Sequence, residues 1–337
     1  MTNTYSLSRR HLTLLIFLVV GCLPPSTYKS PSTVTNTPTL LPATLDATPL
    51  FTTTPKAVAQ KYEGLIVMSG VSRLYTGIRI LDIESSKIIE VTSMGSDSVS
   101  WSPNGEKIAF SGGIPGTQRK PNIFVVSIND NKILRLTDSP ASQNYLGWSP
   151  DGNKIVFEFS HDINQLDLAT INLENNKTET FTFTAGDEHH PAWSPDGNEI
   201  AYLYFDSSSS SKASQLWVMD CESKTSNKIL DAEVAYSNID WSPNGEWIAY
   251  IDTKEKSNCG DIYLIRPDGS DKSRIMELPS CASSLSWSPN GEFIAFTSKD
   301  VETDYWGIYI LDIKAKIINK IYSEEKDVIK GIDWSMP

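Results

Sequence analysis

A five-residue pattern that recurs at nearly even intervals constrains this 337-residue sequence more than any other feature. The pattern is Trp-Ser-Pro followed by Asn or Asp and then Gly, and an incomplete sixth copy reads Trp-Ser-Met-Pro. Neighbouring copies are 45 to 48 residues apart, counted from their tryptophans: Trp101, Trp148, Trp193, Trp241, Trp287 and Trp334. Such a period is typical of repeat proteins in which each repeat is one supersecondary unit.

Each copy of the pattern predicts a tight turn between two β-strands. Proline presets φ for the second position of such a turn, Asn or Asp tolerates the third, and glycine accepts a positive φ. In the first repeat, β-rich runs follow at residues 107–110, 123–126 and 133–136. Four strands in about 45 residues is the unit of a β-propeller blade. No stretch shows convincing helical periodicity, so the predicted class is all-β.

The two ends of the repeat region determine the number of blades. Five complete units begin at a tryptophan, and the segment before them has β-rich runs at residues 64–68, 78–82 and 87–92 that match the second to fourth strands of a blade. Residues 331–334 supply the missing first strand. The sequence therefore predicts a six-bladed β-propeller with four-stranded blades, whose last blade is closed by N- and C-terminal strands.

The repeated pattern, continued as two variable residues and then Ile-Ala-Phe or Ile-Ala-Tyr, resembles the TolB-type, WD-like propeller repeats over roughly residues 64–337. Similar repeats occur in the propellers of prolyl-oligopeptidase-like peptidases. TolB carries an α/β domain before its propeller, where this sequence has a Ser/Thr/Pro-rich segment, and the peptidases add a hydrolase domain that we do not expect here. The resemblance therefore implies the fold, whereas function depends on the site that a propeller carries.

The N-terminal segment has the layout of an export signal. Arg9 and Arg10 precede the apolar residues 12–20, which are too few to span a membrane as a helix. Residues 19–22 resemble the cleavage box of bacterial lipoproteins, which implies that Cys22 becomes the lipidated first residue of an exported, membrane-anchored chain. The alternative is an ordinary signal peptide with Cys22 near the cut. The predicted domains are a signal peptide at 1–21, a lipidated, disordered Ser/Thr/Pro-rich tether at 22–60, and the propeller at 61–337.

Charge excludes one class of partner. The net charge is −12, and residues 1–60 contribute +3, so the remainder carries −12 − 3 = −15. A body this acidic repels the phosphates of nucleic acids. We therefore expect no nucleic-acid binding.

The predicted binding site is the mouth of the central channel. In a propeller, the residues just before each first-strand tryptophan ring one opening of the channel, and here all of these residues are polar or small. We expect a solvated, polar funnel that is suited to a peptide tail, an envelope protein or a small polar ligand. The protein itself is expected to be a monomer. The candidate ligand-binding residues are Asp97, Asn144, Tyr145, His189, His190, Asn238 and Lys330.

Three histidines leave an enzymatic alternative open. His161, His189 and His190 fall in loops that we expect on the same face, and imidazoles beside carboxylates are able to bind zinc or manganese. Oligogalacturonate lyases, whose propellers are similar, use histidines around a metal, so a metal-dependent polysaccharide lyase is the second hypothesis. The spacing matches no compact ligand motif, and the sequence has no recognisable hydrolase motif. The prediction is a non-catalytic binding module without a cofactor.

The cysteines after Cys22 predict one disulfide bond. Cys259 and Cys281 lie in loops that the blade topology places on one face, and an exported protein is oxidised. Cys221 is expected to remain unpaired.

Overall fold

The computed structural model describes residues 62–71, 76–113, 120–162, 165–182, 184–206, 214–231, 238–253, 260–278, 280–325 and 328–336. Within these ranges the chain forms twenty-four β-strands and no helix, so this part of the chain has no helix that is long and apolar enough to cross a membrane. The predicted signal peptide (1–21), the lipidation site Cys22 and the tether (22–60) lie outside the described residues.

Six antiparallel four-stranded sheets form the six blades of a propeller, which confirms the predicted fold. Blade 6 contains the first three strands and the last strand: β1 (Leu65–Val71), β2 (Thr76–Asp82), β3 (Lys87–Thr92) and β24 (Val328–Ser335). Blade 1 contains β4 (Val99–Trp101), β5 (Lys107–Gly112), β6 (Asn122–Ser127) and β7 (Ile133–Arg135). Blade 2 contains β8 (Gln143–Trp148), β9 (Lys154–Asp162), β10 (Gln165–Asn172) and β11 (Thr178–Thr180).

The remaining blades repeat this order. Blade 3 contains β12 (Asp187–Trp193), β13 (Glu199–Phe205), β14 (Ser214–Asp220) and β15 (Ser226–Asp231). Blade 4 contains β16 (Asp240–Trp241), β17 (Ile248–Thr253), β18 (Gly260–Ile265) and β19 (Ser273–Arg274). Blade 5 contains β20 (Ala282–Trp287), β21 (Phe293–Lys299), β22 (Trp306–Asp312) and β23 (Ile317–Glu324).

The ring closes within blade 6, as the sequence predicts. Strand β24 pairs with β1 in the register Leu65↔Ser335, Ile66↔Trp334 and Met68↔Ile332. The last described strand, β24, is thus the innermost strand of blade 6, and the other three strands of that blade are the first three in the chain. This pairing leaves no open sheet edge between the first and last repeats.

Apolar side chains fill the spaces between adjacent blades. Five of these spaces each contain a cluster of nine to thirteen buried apolar residues. The space between blades 2 and 3 differs, since its cluster contains only Leu168, Tyr202 and Met219 as fully buried members. This space, or seam, therefore has the smallest cluster of fully buried apolar side chains among the described residues, with Phe181, Tyr204 and Trp217 partly buried against it.

The repeated turns contact one another around the ring. Gly197 has φ of +77°, and a Cβ atom there would lie 3.2 Å from Cγ of Pro150, the proline of the preceding turn. At the ring closure, Gly105 instead faces Met336, which takes the place of that proline in the incomplete sixth copy. The side chain of Asp151 accepts hydrogen bonds from Ser149 Oγ and from the backbone N–H of Asn153, which lower its pKa. Asp151 therefore has a structural role within its turn.

Candidate functional site

The first strands of the six blades surround a central channel of about 760 Å³. Because a strand alternates its side chains between two faces, residues one and three positions before each tryptophan lie on the same face. We call the set three positions before the tryptophan the upper ring and the set one position before it the lower ring. The upper ring is Ser98, Tyr145, His190, Asn238, Ser284 and Gly331. The lower ring is Ser100, Gly147, Ala192, Asp240, Ser286 and Asp333.

Several upper-ring side chains bind the backbone of the following blade. Ser98 Oγ accepts the N–H of Leu146 at 3.0 Å. Asn238 Oδ1 accepts the N–H of Leu285 at 2.8 Å, and its Nδ2 donates to the carbonyl of the same residue. Part of the polarity of the channel mouth therefore serves to join neighbouring blades.

The lower ring repeats this arrangement one level deeper. Asp240 Oδ2 accepts the N–H of Trp287 at 2.8 Å, and Asp333 Oδ2 accepts the N–H of Trp101 at 2.6 Å. Burial raises the pKa of Asp240 to about 7 and that of Asp333 to about 6, and repulsion by Asp333 adds to the shift at Asp240. Two weakly acidic carboxyl groups thus line the deeper channel.

The wall formed by blades 2 and 3 differs, because no ring side chain in it accepts a hydrogen bond from a backbone N–H group of the next blade among the described residues. Its lower-ring residues, Gly147 and Ala192, offer no side-chain acceptor to the next blade. Its upper-ring residues, Tyr145 and His190, have φ of +41° and +52° at β-bulges in β8 and β12. Positive φ is uncommon for side chains of this size and marks a strained backbone. The bulges place the two rings against each other, with 3.9 Å between their centroids.

The environment of His190 keeps its ring neutral. The side chain is 4% exposed, and its Nδ1 atom has no hydrogen-bond partner among the described residues. Burial, and to a lesser degree repulsion by His189, lowers the pKa of His190 to about 3. Burial also raises the pKa of Tyr145 to about 12, with Glu158 and Asp97 contributing. This wall therefore contains two uncharged aromatic rings, one of which, that of His190, carries a buried nitrogen without a hydrogen-bond partner among the described residues.

Two predicted mouth residues do not line the channel. The Nδ1 atom of His189 is 3.2 Å from Glu158 Oε2 in the adjacent blade. Asn144 donates through Nδ2 to Ser142 Oγ at 3.1 Å. Both residues contribute to the protein framework behind the mouth.

The other predicted mouth residues line the channel. Asp97 and Lys330 form an ion pair that bridges blades 6 and 1 at the ring closure. Both side chains are more than 40% exposed, so we expect this pair to add little stability. Asp97, Tyr145, His190, Asn238 and Lys330 all belong to the channel wall.

The described residues contain no set of three His, Cys, Asp or Glu side chains arranged to hold a metal ion. The side chain of His161 lies outside the described residues, so the structure describes only His189 and His190 of the three predicted histidines. Cys281 is disulfide-bonded and Cys221 is free. The predicted partner, Cys259, lies outside the described residues, and the pairing stays a prediction.

Sequence reasoning missed four acids behind and below the mouth, namely Asp240, Asp333, Glu158 and Asp167, and it did not predict the burial of Glu188. Asp240 and Asp333 directly precede a repeat tryptophan, so the alternation of side chains along the first strand was the available signal. Glu158, Asp167 and Glu188 are at most 4% exposed, and they lie on three strands of two blades. Nothing in the local sequence indicates that these three carboxyl groups are buried close to one another.

Comparisons with known families agree with this architecture. A model of the TolB beta propeller domain matches residues 188–331. A model of the dipeptidyl peptidase IV N-terminal region matches residues 117–214. No curated protein matches the sequence significantly.

Solved structures with low sequence identity share the fold. TolB from Acinetobacter baumannii is 17% identical, with a TM-score of 0.69 over 81% of this chain and 67% of that one. A putative TolB from Agrobacterium tumefaciens is 16% identical, with a TM-score of 0.62 over 81% and 98% of the two chains. An oligogalacturonate lyase in complex with manganese is 13% identical, with a TM-score of 0.53 over 78% and 74%. The ring of six blades described above shares the β-propeller fold of these solved structures.

Proposed function

We propose that this protein is a non-catalytic binding module of the bacterial cell envelope, monomeric and anchored through a lipid on Cys22. It receives a peptide segment of an envelope protein, or a small polar ligand, in the mouth of its channel. The observation that carries the proposal is the open channel of about 760 Å³, whose wall includes five of the seven residues expected from sequence to bind a ligand.

The wall of blades 2 and 3 is the part of the mouth best suited to a ligand. Elsewhere the ring side chains are occupied by backbone N–H groups of the next blade, as with Asn238 and Asp240. Tyr145 instead contributes an aromatic ring to the channel wall, held against the buried ring of His190. Aromatic side chains with a polar atom are common anchors in protein interfaces.

The export signal supports the proposed location. Arg9, Arg10, the apolar residues 12–20 and Cys22 follow the order of a lipoprotein signal. An acyl anchor would hold the propeller beside the membrane, where envelope proteins are available as partners.

Photocrosslinking in intact cells tests the proposed site. We expect a photoreactive amino acid at Tyr145, or at Ser283 on the opposite side of the mouth, to capture the same partner. The same amino acid at Glu179, exposed on the outer strand β11, is the matched control and should capture none of it. Capture only from position 179, or no capture from either mouth position, would contradict the proposal.

A further inference from the structure

The seam between blades 2 and 3 contains a buried pair of carboxyl groups. Asp167 on β10 is 1% exposed, and Glu188 on β12 is fully buried. Asp167 lies close enough to Glu188 to raise the pKa of that carboxyl group. Thr182 Oγ1 lies 3.2 Å from Glu188 Oε2, and Thr184 Oγ1 donates to Glu188 Oε1. Two neighbouring carboxyl groups that are both buried favour a state in which one of them retains its proton, because two like charges in a medium of low dielectric repel each other.

The preceding seam, between blades 1 and 2, shows the same arrangement in uncharged form. There the corresponding residues are Asn122 on β6 and Gln143 on β8, with Thr137 between them. Thr137 Oγ1 accepts the backbone N–H of Ile123 at 2.9 Å. Amide side chains carry their own hydrogens, so this seam needs no additional proton.

The seam between blades 2 and 3, which we call the acidic seam, has the same hydrogen bond from a backbone N–H group to a threonine hydroxyl as the amide seam between blades 1 and 2. Thr182 Oγ1 accepts the backbone N–H of Leu168 at 2.9 Å, as Thr137 does for Ile123. The chain thus uses one hydrogen-bonding pattern twice, once with amides and once with carboxyl groups. The acidic version lies in the seam with the fewest buried apolar residues, where loss of the polar contacts has the least hydrophobic compensation.

We propose that the Asp167–Glu188 pair is a proton-dependent latch, which holds blades 2 and 3 together while the pair shares a proton and loosens that seam when the proton is lost. Loss of the proton leaves two like charges within a buried contact, which is costly in a medium of low dielectric. The latch also reaches the channel mouth, because Glu188 directly precedes His189 and His190. The proposal does not depend on the proposed ligand.

The groups that surround Glu188 favour retention of its proton. Burial is the main cause that raises the pKa of Glu188 to about 7, and Asp167 raises it further, while the threonine hydroxyls oppose the shift. Other titratable groups facing this region are Glu158 and its partner His189 from β9 and β12, Tyr202 and Tyr204 from β13, and Asp187, Asp206 and His190.

The direction of the pH dependence follows from this shift. The pKa of Glu188 in the folded chain lies above its ordinary value of 4.5. Its contribution to stability is therefore fully present below pH 4.5 and is lost as pH rises to about 7. Between pH 6 and pH 8, these two values predict an increase of about tenfold in the equilibrium constant for opening of the seam.

Hydrogen exchange of the full chain at pH 6 and pH 8, corrected for the intrinsic pH dependence of exchange, tests the latch. We expect peptides covering β10 and β12 to lose about tenfold protection at pH 8, while peptides covering β6 and β8 in the amide seam stay within twofold. In the Glu188→Gln variant the loss at β10 and β12 should also fall below twofold. Equal loss in the variant and the parent protein, or no loss in the parent protein, would overturn the proposal.

Two further variants keep the test decisive if Glu188→Gln does not fold. Asp167→Asn removes the second acid and should reduce the loss of protection in the same region. Arg135 donates to Asn122 Oδ1 at 3.2 Å and would neutralise an acid at position 122. Asn122→Asp and Gln143→Glu, combined with Arg135→Thr to match Thr180 of the acidic seam, should therefore transfer the pH-dependent loss to β6 and β8. A transplanted pair that leaves this seam insensitive to pH would show that the pair does not act as a latch.

Discussion

Replacement of Trp334 by alanine should lower the free energy of unfolding by about 3–5 kcal/mol, the range measured for truncation of large buried aromatic side chains. Trp334 is 6% exposed and lies in the cluster between blades 5 and 6. Its ring stacks on Phe293 at a centroid distance of 6.5 Å, and its Nε1 donates to the carbonyl of Glu63 at 3.1 Å. The substitution thus removes packing from the strand that closes the ring. Urea denaturation measures the effect.

Met336 provides the control for this substitution. It is two residues away and 53% exposed, so Met336→Ala should change the free energy of unfolding by no more than about 0.5 kcal/mol. Equal small effects of the two substitutions would show that the C-terminal strand does not pack as described.

Replacement of Gly64 by alanine should destabilise the protein by about 3 kcal/mol, because strained backbone and steric conflict act together. Gly64 has φ of +112°, a conformation that side chains rarely adopt. A Cβ atom there would lie 2.5 Å from the carbonyl oxygen of Ser335 and 2.8 Å from Trp334 Nε1. Neither atom is able to move without disturbing the pairing of β1 with β24. Thermal and urea unfolding measure the loss.

A second glycine provides the matched control. Gly147 lies on an inner strand and has no positive φ, and a Cβ atom there would lie 3.6 Å from its nearest neighbour, the carbonyl oxygen of Pro191. Gly147→Ala should therefore cost less than about 1 kcal/mol. Comparable losses at the two positions would mean that Gly64 is not confined by the closing strand.

The repeat made the fold predictable from sequence. The tryptophan of each turn pattern marks a first strand, and the unmatched strands at the two ends account for blade 6. This inference needs only local turn chemistry and counting, because every blade is built from the same short-range signals. The general position of the channel mouth followed from the same regularity.

Details of the site were less accessible to sequence reasoning. The bulges at Tyr145 and His190 interrupt the alternation of side chains, so the sequence does not indicate that His189 turns towards Glu158 while His190 lines the channel. The roles of Asn238 and Asp333 depend on the distance between neighbouring blades, a property of the whole ring. The acid pair Asp167 and Glu188 likewise joins residues from two blades.

The central claim, a ring closed by pairing of the first and last strands, is tested most directly by disulfide trapping between β1 and β24. Met68 is opposite Ile332, and the backbone N–H groups of Ile332 and Trp334 point away from β1 towards Ser284 and Ser286. Met68 and Ile332 therefore form a non-hydrogen-bonded pair, whose Cα atoms are typically about 4.5 Å apart, close enough for a disulfide bond.

Met68→Cys combined with Ile332→Cys should form this bond nearly completely in the folded, oxidised protein, as mapped by peptide mass spectrometry. Met68→Cys combined with Asp333→Cys, one position out of register and on the opposite face, should form little of it. Absence of the bond in the first variant, or equal amounts in both, would contradict the closure of the ring by its two ends.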